Sequence, residues 1–290
     1  MEDRRMGRGD GSRVGGAARP TGRGNRAPDG RRKTPAGGAS VTSRALSVLA
    51  AFSPSAPVLK LTDIACHAGL PLTTAHRLVS ELRDWGALER DPDGGYRIGL
   101  RLWEIAALAP RALGLRELAL PYLSDLGVVT RENVQLAVRE QLSLVFVERL
   151  AGQNSVHVLT RVGGRFALPP TGVGRVLLAH APADVQEEVL ARPQSRFTEH
   201  TVCDPAELRR CLAEVRRTGV AVCARQVTLD GLSVAAPVRG PGGDVVAAVS
   251  VVAHIDTVRA HTLVPLVQVA ARGISRALGA PPGPPVVVRA

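Results

Sequence analysis

The most constraining stretch of this 290-residue chain lies between residues 61 and 98. It combines two short helical patterns, a glycine turn and a hairpin signal. Thr62 is placed to cap the first pattern, Asp63 lies in its first turn, and Ile64 and Ala65 form its apolar side. Gly69 ends it where a left-handed C-cap residue belongs. After Leu70 and Pro71, a further helix of about one and a half to three turns is expected. Ala75, Leu78, Val79 and Leu82 recur there at helical spacing and form a core stripe. Thr73, His76, Arg77 and Ser80 repeat that spacing on another face. A helix that enters a major groove needs short hydroxyls near its start and an arginine one turn on, with its opposite face docked on a helical core. Periodicity alone fits an amphipathic helix with a solvated face equally well. The continuation tips the balance. Residues 87–90 and 95–98 read as short strands around the turn Asp91-Pro92-Asp93-Gly94. Upstream, Ala45, Leu46, Val48, Leu49 and Phe52 share a helical stripe that ends before Pro54 and Pro57. The order helix, helix, recognition-like helix, hairpin is a winged helix-turn-helix. Its candidate DNA contacts are Thr73, Thr74, His76 and Arg77 on the third helix, Arg44 on the first, and Arg90 and Arg97 beside the wing.

Charge supports nucleic acid but sits elsewhere. The chain carries a formal net charge of +11. Residues 1–40 hold 10 basic and 4 acidic residues, whereas residues 41–104 hold 7 of each. The DNA-binding module is therefore neutral overall, and its affinity must come from local charge segregation, from doubling in a dimer, and from the arm. The arm, residues 1–38, has almost no large apolar side chain and reads as disordered. Residues 281–290, opening on Pro281 and Pro282, read as a tail. Aromatics make up 3% of the chain, too few for a stacking platform on single-stranded nucleic acid. The longest apolar run, near residues 245–253, is far short of a membrane span. No secretory signal is readable at the N-terminus, so a soluble, cytoplasmic protein without a membrane partner is expected.

Leu100, Trp103, Ala107 and Leu108 form an apolar face before Pro110, and a second periodic piece starts near Leu115. Residues 101–120 thus read as linker helices, with Trp85 and Trp103 as packing residues. The linker stripe is also suited to a dimer seam. Residues 121–280 then form the second domain. Strands are expected at 134–138, 142–147 and 155–161, helices at 172–179, 183–190 and 205–217, strands at 220–223, 232–238 and 245–253, and a last helix at 263–278. Asp204 at the N-cap, Pro205 after it and Gly219 beyond the end bracket the third of those helices. This succession makes an α+β fold with a mainly antiparallel sheet.

The wording of the chain resembles IclR-family transcription regulators. The resemblance rests on Ser43-Arg44-Ala45-Leu46, Leu61-Thr62-Asp63-Ile64-Ala65, Gly69-Leu70-Pro71-Leu72-Thr73-Thr74-Ala75-His76-Arg77-Leu78 and Leu88-Glu89-Arg90-Asp91-Pro92-Asp93-Gly94-Gly95-Tyr96-Arg97-Ile98-Gly99. It continues through Leu115-Arg116-Glu117-Leu118-Ala119, Asn133-Val134-Gln135-Leu136-Ala137-Val138, Ala235-Ala236-Pro237-Val238 and Val245-Val246-Ala247-Ala248-Val249-Ser250. It implies a winged helix, a linker helix and a GAF-like effector-binding domain. It also implies homodimers, often paired into tetramers, on double-stranded promoter DNA. A small-molecule effector would contact the helix start at Gly172 and Val173 and residues on the late strands. In relatives that bind small organic acids, an aspartate and a cysteine line the sheet, followed by serines. The corresponding places here are Cys223, Ser233, Ser250 and Val252. Only Ser250 keeps the residue type and the acidic position is lost, which implies an aromatic or hydrophobic acid rather than a small keto acid.

Other chemistry finds little support. Gly172-Val173-Gly174 lacks the third glycine of a dinucleotide fingerprint, because Leu177 holds that place. Cys203, Cys211 and Cys223 contain no C-x-x-C pair, and His200 with Cys203 has no second pair to complete a zinc site. No metal and no cofactor are expected. The rival reading is a GAF-like cysteine-dependent enzyme, such as a sulfoxide reductase, with an accessory winged helix.

Overall fold

The first helix starts at Ser40, whose hydroxyl accepts a hydrogen bond from the Ser43 N–H and so satisfies one of the free donors of a helix start. The structure, a computed structural model, describes residues 40–153, 156 and 158–281. The arm expected at 1–38 and all but the first residue of the tail lie outside the described residues.

Helices α1 (Val41–Leu49), α2 (Leu61–Ala68) and α3 (Leu72–Trp85) close around Val48, Phe52, Ile64, Leu78 and Val79. Gly69 closes α2 in the left-handed region, at φ 66°. The N-cap of α2 is Lys60 rather than Thr62. The Asp63 carboxylate reaches back to accept from the Lys60 N–H at 3.3 Å, the N3 half of a capping box, which ties down the N-cap donor. At 14 residues, α3 is longer than expected, and it stops at Gly86 with φ 90°. Strands β1 (Leu88–Arg90) and β2 (Tyr96–Ile98) pair antiparallel as the wing. Leu59 and Tyr96 exchange both backbone hydrogen bonds, which ties the wing to the segment before α2.

Helix α4 (Leu100–Ala106) buries none of its residues. Trp103 is therefore not a packing residue within this chain, and Trp85, 41% exposed, carries the Arg101 guanidinium 4.5 Å above its ring. Helix α5 (Pro110–Thr130) starts with proline at its first position, where the missing N–H costs nothing. Its residues Leu115, Ala119, Leu123 and Leu126 belong to the core of the C-terminal half.

That half is built on six antiparallel strands: β3 (Asn133–Glu140), β4 (Ser143–Leu150), β5 (Arg165–Ala167), β6 (Ala221–Ala224), β7 (Gly231–Arg239) and β8 (Val245–His254). Their order across the sheet is β5-β4-β3-β8-β7-β6. Helices α5 and α9 (Ala260–Ala277) cover one face, on Val249, Val251, Val267 and Ile274. Helices α6 (Gly172–Ala179), α7 (Ala183–Ala191) and α8 (Pro205–Thr218) cover the other, on Phe146, Val176, Leu212 and Ala248. Cover on both faces explains why β8 is apolar almost throughout instead of alternating. The start of α8 follows its sequence signal: the Asp204 carboxylate accepts from the Glu207 N–H at 2.8 Å, and Gly219 ends the helix in the left-handed region.

The strand expected at 155–161 is absent: the described residues there form no ladder, and β5 takes that place in the sheet. Side chains claim this backbone instead. The Val156 carbonyl accepts from Asn133 Nδ2 at 3.0 Å and the Thr160 carbonyl from Arg149 Nη1 at 3.4 Å. Only at Gly163 and Gly164 does the chain return to pair with Phe146.

Candidate functional sites

On α3, Ala75, Leu78 and Val79 face the core, while Thr73, His76 and Arg77 are exposed and Thr74 is partly so. Arg77 Nη1 lies 3.0 Å from Glu81 Oε1, with both side chains 58% exposed. On the wing, Arg97 pairs across the strands with Glu89 at 3.1 Å, and Glu89 also accepts from the Leu100 N–H at 3.0 Å. Those two donors, the Leu100 amide foremost, hold the Glu89 carboxyl below its ordinary pKa. Arg90 is exposed on the wing and Arg44 partly exposed on α1. The solvated ion pairs of Arg77 and Arg97 open cheaply, so both guanidinium groups are available to phosphates or base edges.

The second site is a cleft of about 520 Å³, mouth included, between the start of α6 and the sheet. Of this, only about 60 Å³ is enclosed room comparable with a cavity volume, and the rest is open to solvent. Val173, Cys223, Ser233 and Val252 line it together, although they come from four separate elements. Gly172 does not line it but abuts Ser233. Ser250 is fully buried on β8, beside Gln135 in register, and its hydroxyl finds no partner. Burial pushes the Cys223 thiol pKa up, with Arg175 acting in the opposite sense. A neutral, buried thiol is a poor nucleophile.

The two glycines at the start of α6 are explained by close approach. A Cβ on Gly172 would sit 2.6 Å from Ser233 Oγ, and one on Gly174 would sit 2.0 Å from the Leu168 carbonyl oxygen. Close approach of α6 to the Ser233 side chain on the sheet and to the Leu168 carbonyl in the loop before it, not nucleotide binding, accounts for the pattern. Thr171 caps the helix, accepting from the Gly174 N–H at 3.1 Å. Replacing Gly174 with alanine should therefore displace the Leu168 carbonyl and destabilise the domain by about 2–4 kcal/mol. Chemical denaturation checks this: the midpoint should fall while the slope stays constant.

Sequence reasoning missed Gln135, Gln226 and Arg175. Gln135 lines the cleft and donates to Thr160 Oγ1 at 2.8 Å. Gln226 also lines it and is held by Arg175 Nη2 at 2.6 Å. The available signal was Arg175, a charged residue in a helix whose every residue is buried; Gln135 shares β3 with Asn133, Arg139 and Glu140 and does not stand out. Among the described residues no group of three or more His, Cys, Asp or Glu side chains is arranged to hold a metal, the cysteines are all free, and no helix is long and apolar enough to cross a membrane.

Comparison with known proteins agrees with this architecture. The IclR helix-turn-helix domain matches residues 41–92, and the bacterial transcriptional regulator IclR C-terminal domain matches residues 108–276. The HTH-type transcriptional regulator XynR of Escherichia coli is 28% identical over 243 residues, covering 82% of this chain and 96% of that protein. The glycerol operon regulatory protein of Streptomyces coelicolor is 30% identical over 244 residues, covering 82% and 95%. Among solved structures, an IclR homologue from Microbacterium hydrocarbonoxydans in complex with 4-hydroxybenzoate superposes with a TM-score of 0.79. It is 38% identical, over 82% of this chain and 99% of that one. With both halves matched in order and the winged helix and six-stranded domain in place, the chain belongs to the IclR family of DNA-binding transcription regulators.

Proposed function

We propose that this regulator binds a near-palindromic promoter site as a dimer, or a dimer of dimers, and takes a small aromatic or otherwise apolar acid as effector in the α6 cleft. The observation that carries the reading is the convergence of Val173, Cys223, Ser233 and Val252 on one largely apolar cleft. The complex of a homologue with 4-hydroxybenzoate supports the ligand class. The exposed face of α3, with Thr73, Thr74, His76 and Arg77, enters the major groove. Arg44, Arg90 and Arg97 hold the backbone. The effector acts through its differential affinity for the DNA-competent arrangement of the two heads, which limits its leverage to roughly 5–150-fold in operator affinity.

Footprinting of the DNA flanking the gene for this chain, with and without 4-hydroxybenzoate, tests the proposal. The expected pattern is a two-fold symmetric protected site with half-sites about 10 bp apart, or a multiple of that, whose occupancy shifts with the ligand. Protection without symmetry would overturn the dimer. Occupancy indifferent to a panel of aromatic acids would leave a constitutive DNA-binding protein.

A further inference from the structure

We infer that Arg175 makes the α6 cleft selective for anions: a buried guanidinium with only neutral partners stands behind the cleft wall, and the carboxylate of the ligand completes its charge. The inference rests on reading the cleft as the effector site.

Arg175 is 5% exposed. Its side chain turns back towards the start of α6, where Nε donates to the Pro169 carbonyl at 2.8 Å, Nη2 to Gln226 Oε1 at 2.6 Å, and Nη1 to Cys211 Sγ at 3.7 Å. None of these acceptors carries a charge, and no carboxylate among the described residues pairs with the guanidinium. Arginine cannot shed its proton to escape burial, so a full positive charge persists there. A charge buried without a counterion is costly, and a bound anion relieves that cost.

The guanidinium stands directly behind the cleft. Its partner Gln226 lines the cleft, as do Pro170 and Thr171 next to Pro169. The start of α6, the positive end of its dipole, opens on the same wall. Among the described residues no Asp, Glu, Lys, Arg or His lines the cleft, so none of that lining competes with this field. Screening is weak away from bulk water. Arg149, which bonds the Thr160 carbonyl at the cleft rim, is partly exposed and therefore more heavily screened. The Gln226 amide is saturated: Oε1 also accepts from the Val202 N–H at 3.0 Å, and Nε2 donates to the His200 and Ala224 carbonyls. Arg175 is thus a positioning residue. It fixes Gln226 and supplies charge without touching the ligand.

The decisive measurement is the ratio of affinities for two ligands of matched shape, 4-hydroxybenzoate and 4-hydroxybenzamide, titrated calorimetrically into the full chain. The wild type should prefer the acid by roughly tenfold to hundredfold, the span of a through-space attraction between two charges several ångströms apart in a partly screened interior. Arg175→Met should keep its affinity for the amide and lose the preference, while Arg175→Lys should retain part of it. A merely structural role would weaken both ligands alike and leave the ratio unchanged, and that result would overturn the inference. If Arg175→Met does not fold, the wild type and Arg175→Lys still decide: equal affinity of the wild type for acid and amide overturns the charge role while the cleft stands. Binding of neither probe overturns the reading of the cleft as an aromatic-acid site, and this inference with it.

Discussion

Replacing Arg77 with alanine should weaken operator binding by about 1–3 kcal/mol per half-site if the guanidinium reads a base edge. The fold should not change, because Arg77 projects from the exposed face of α3 and packs on nothing in the core. Among the described residues the only side-chain bond lost is the solvated pair with Glu81, which is worth a few tenths of a kcal/mol in such a helix. Unchanged thermal unfolding with a large loss of binding would therefore separate function from stability. A competition assay on altered operators resolves the role further. A base-reading Arg77 takes sequence preference with it when removed. A phosphate-contacting Arg77 weakens all sequences equally and lowers the salt slope by about one. Because Glu81 competes for the same guanidinium, Glu81→Gln should move affinity in the opposite direction. Unchanged promoter binding by the Arg77 variant would remove this face from the DNA interface.

The parts legible in the sequence are those where a local rule determines a local structure. Gly69, the turn at Asp91 to Gly94, and the bracket of Asp204, Pro205 and Gly219 each act within a few residues, and each stands where its chemistry requires. Five of the six antiparallel strands alternate or run apolar strongly enough to be read; β5 does not, and the pattern points instead to a strand at 155–161. There the apolar Val156 and Val158 suggest a ladder, but the carbonyls of Val156 and Thr160 are taken by Asn133 and Arg149 from neighbouring strands. No local pattern reports such a long-range claim. The cleft shows the same limit. Val173 and Cys223 could be picked out, while Gln135 and Gln226 enter only because β3 and the turn after β6 are brought to the start of α6 by the sheet order. Arg175 is the instructive miss. An arginine among Val173, Val176, Leu177 and Leu178 breaks the apolar character of a buried helix, and a charge placed against the local pattern points to a site that uses it.

Introducing two aspartates on α4, at Leu100 and Trp103, should convert the protein to monomers and lower its operator affinity by more than about a hundredfold. The helix presents Leu100, Trp103 and Ile105 to solvent, and the turn after it presents Leu108, with Trp103 at 61% and Leu108 at 79% exposure. Ile98, Leu102 and Trp103 edge a shallow groove beside it. An exposed apolar surface of this kind marks an association site, and its position between the wing and α5 suits a seam that sets the distance between two DNA heads. At a two-fold interface each residue is counted on both protomers. Two large apolar side chains at about 1.5–3 kcal/mol each then represent about 6 kcal/mol or more of association energy, before repulsion among the introduced carboxylates is added. Neither residue is buried within the protomer, so the unfolding of the monomer should be nearly unaffected. Sedimentation at micromolar concentration would show the change directly. If the double variant stayed dimeric, the seam would lie on another exposed apolar surface, such as Val128 and Val129 of α5.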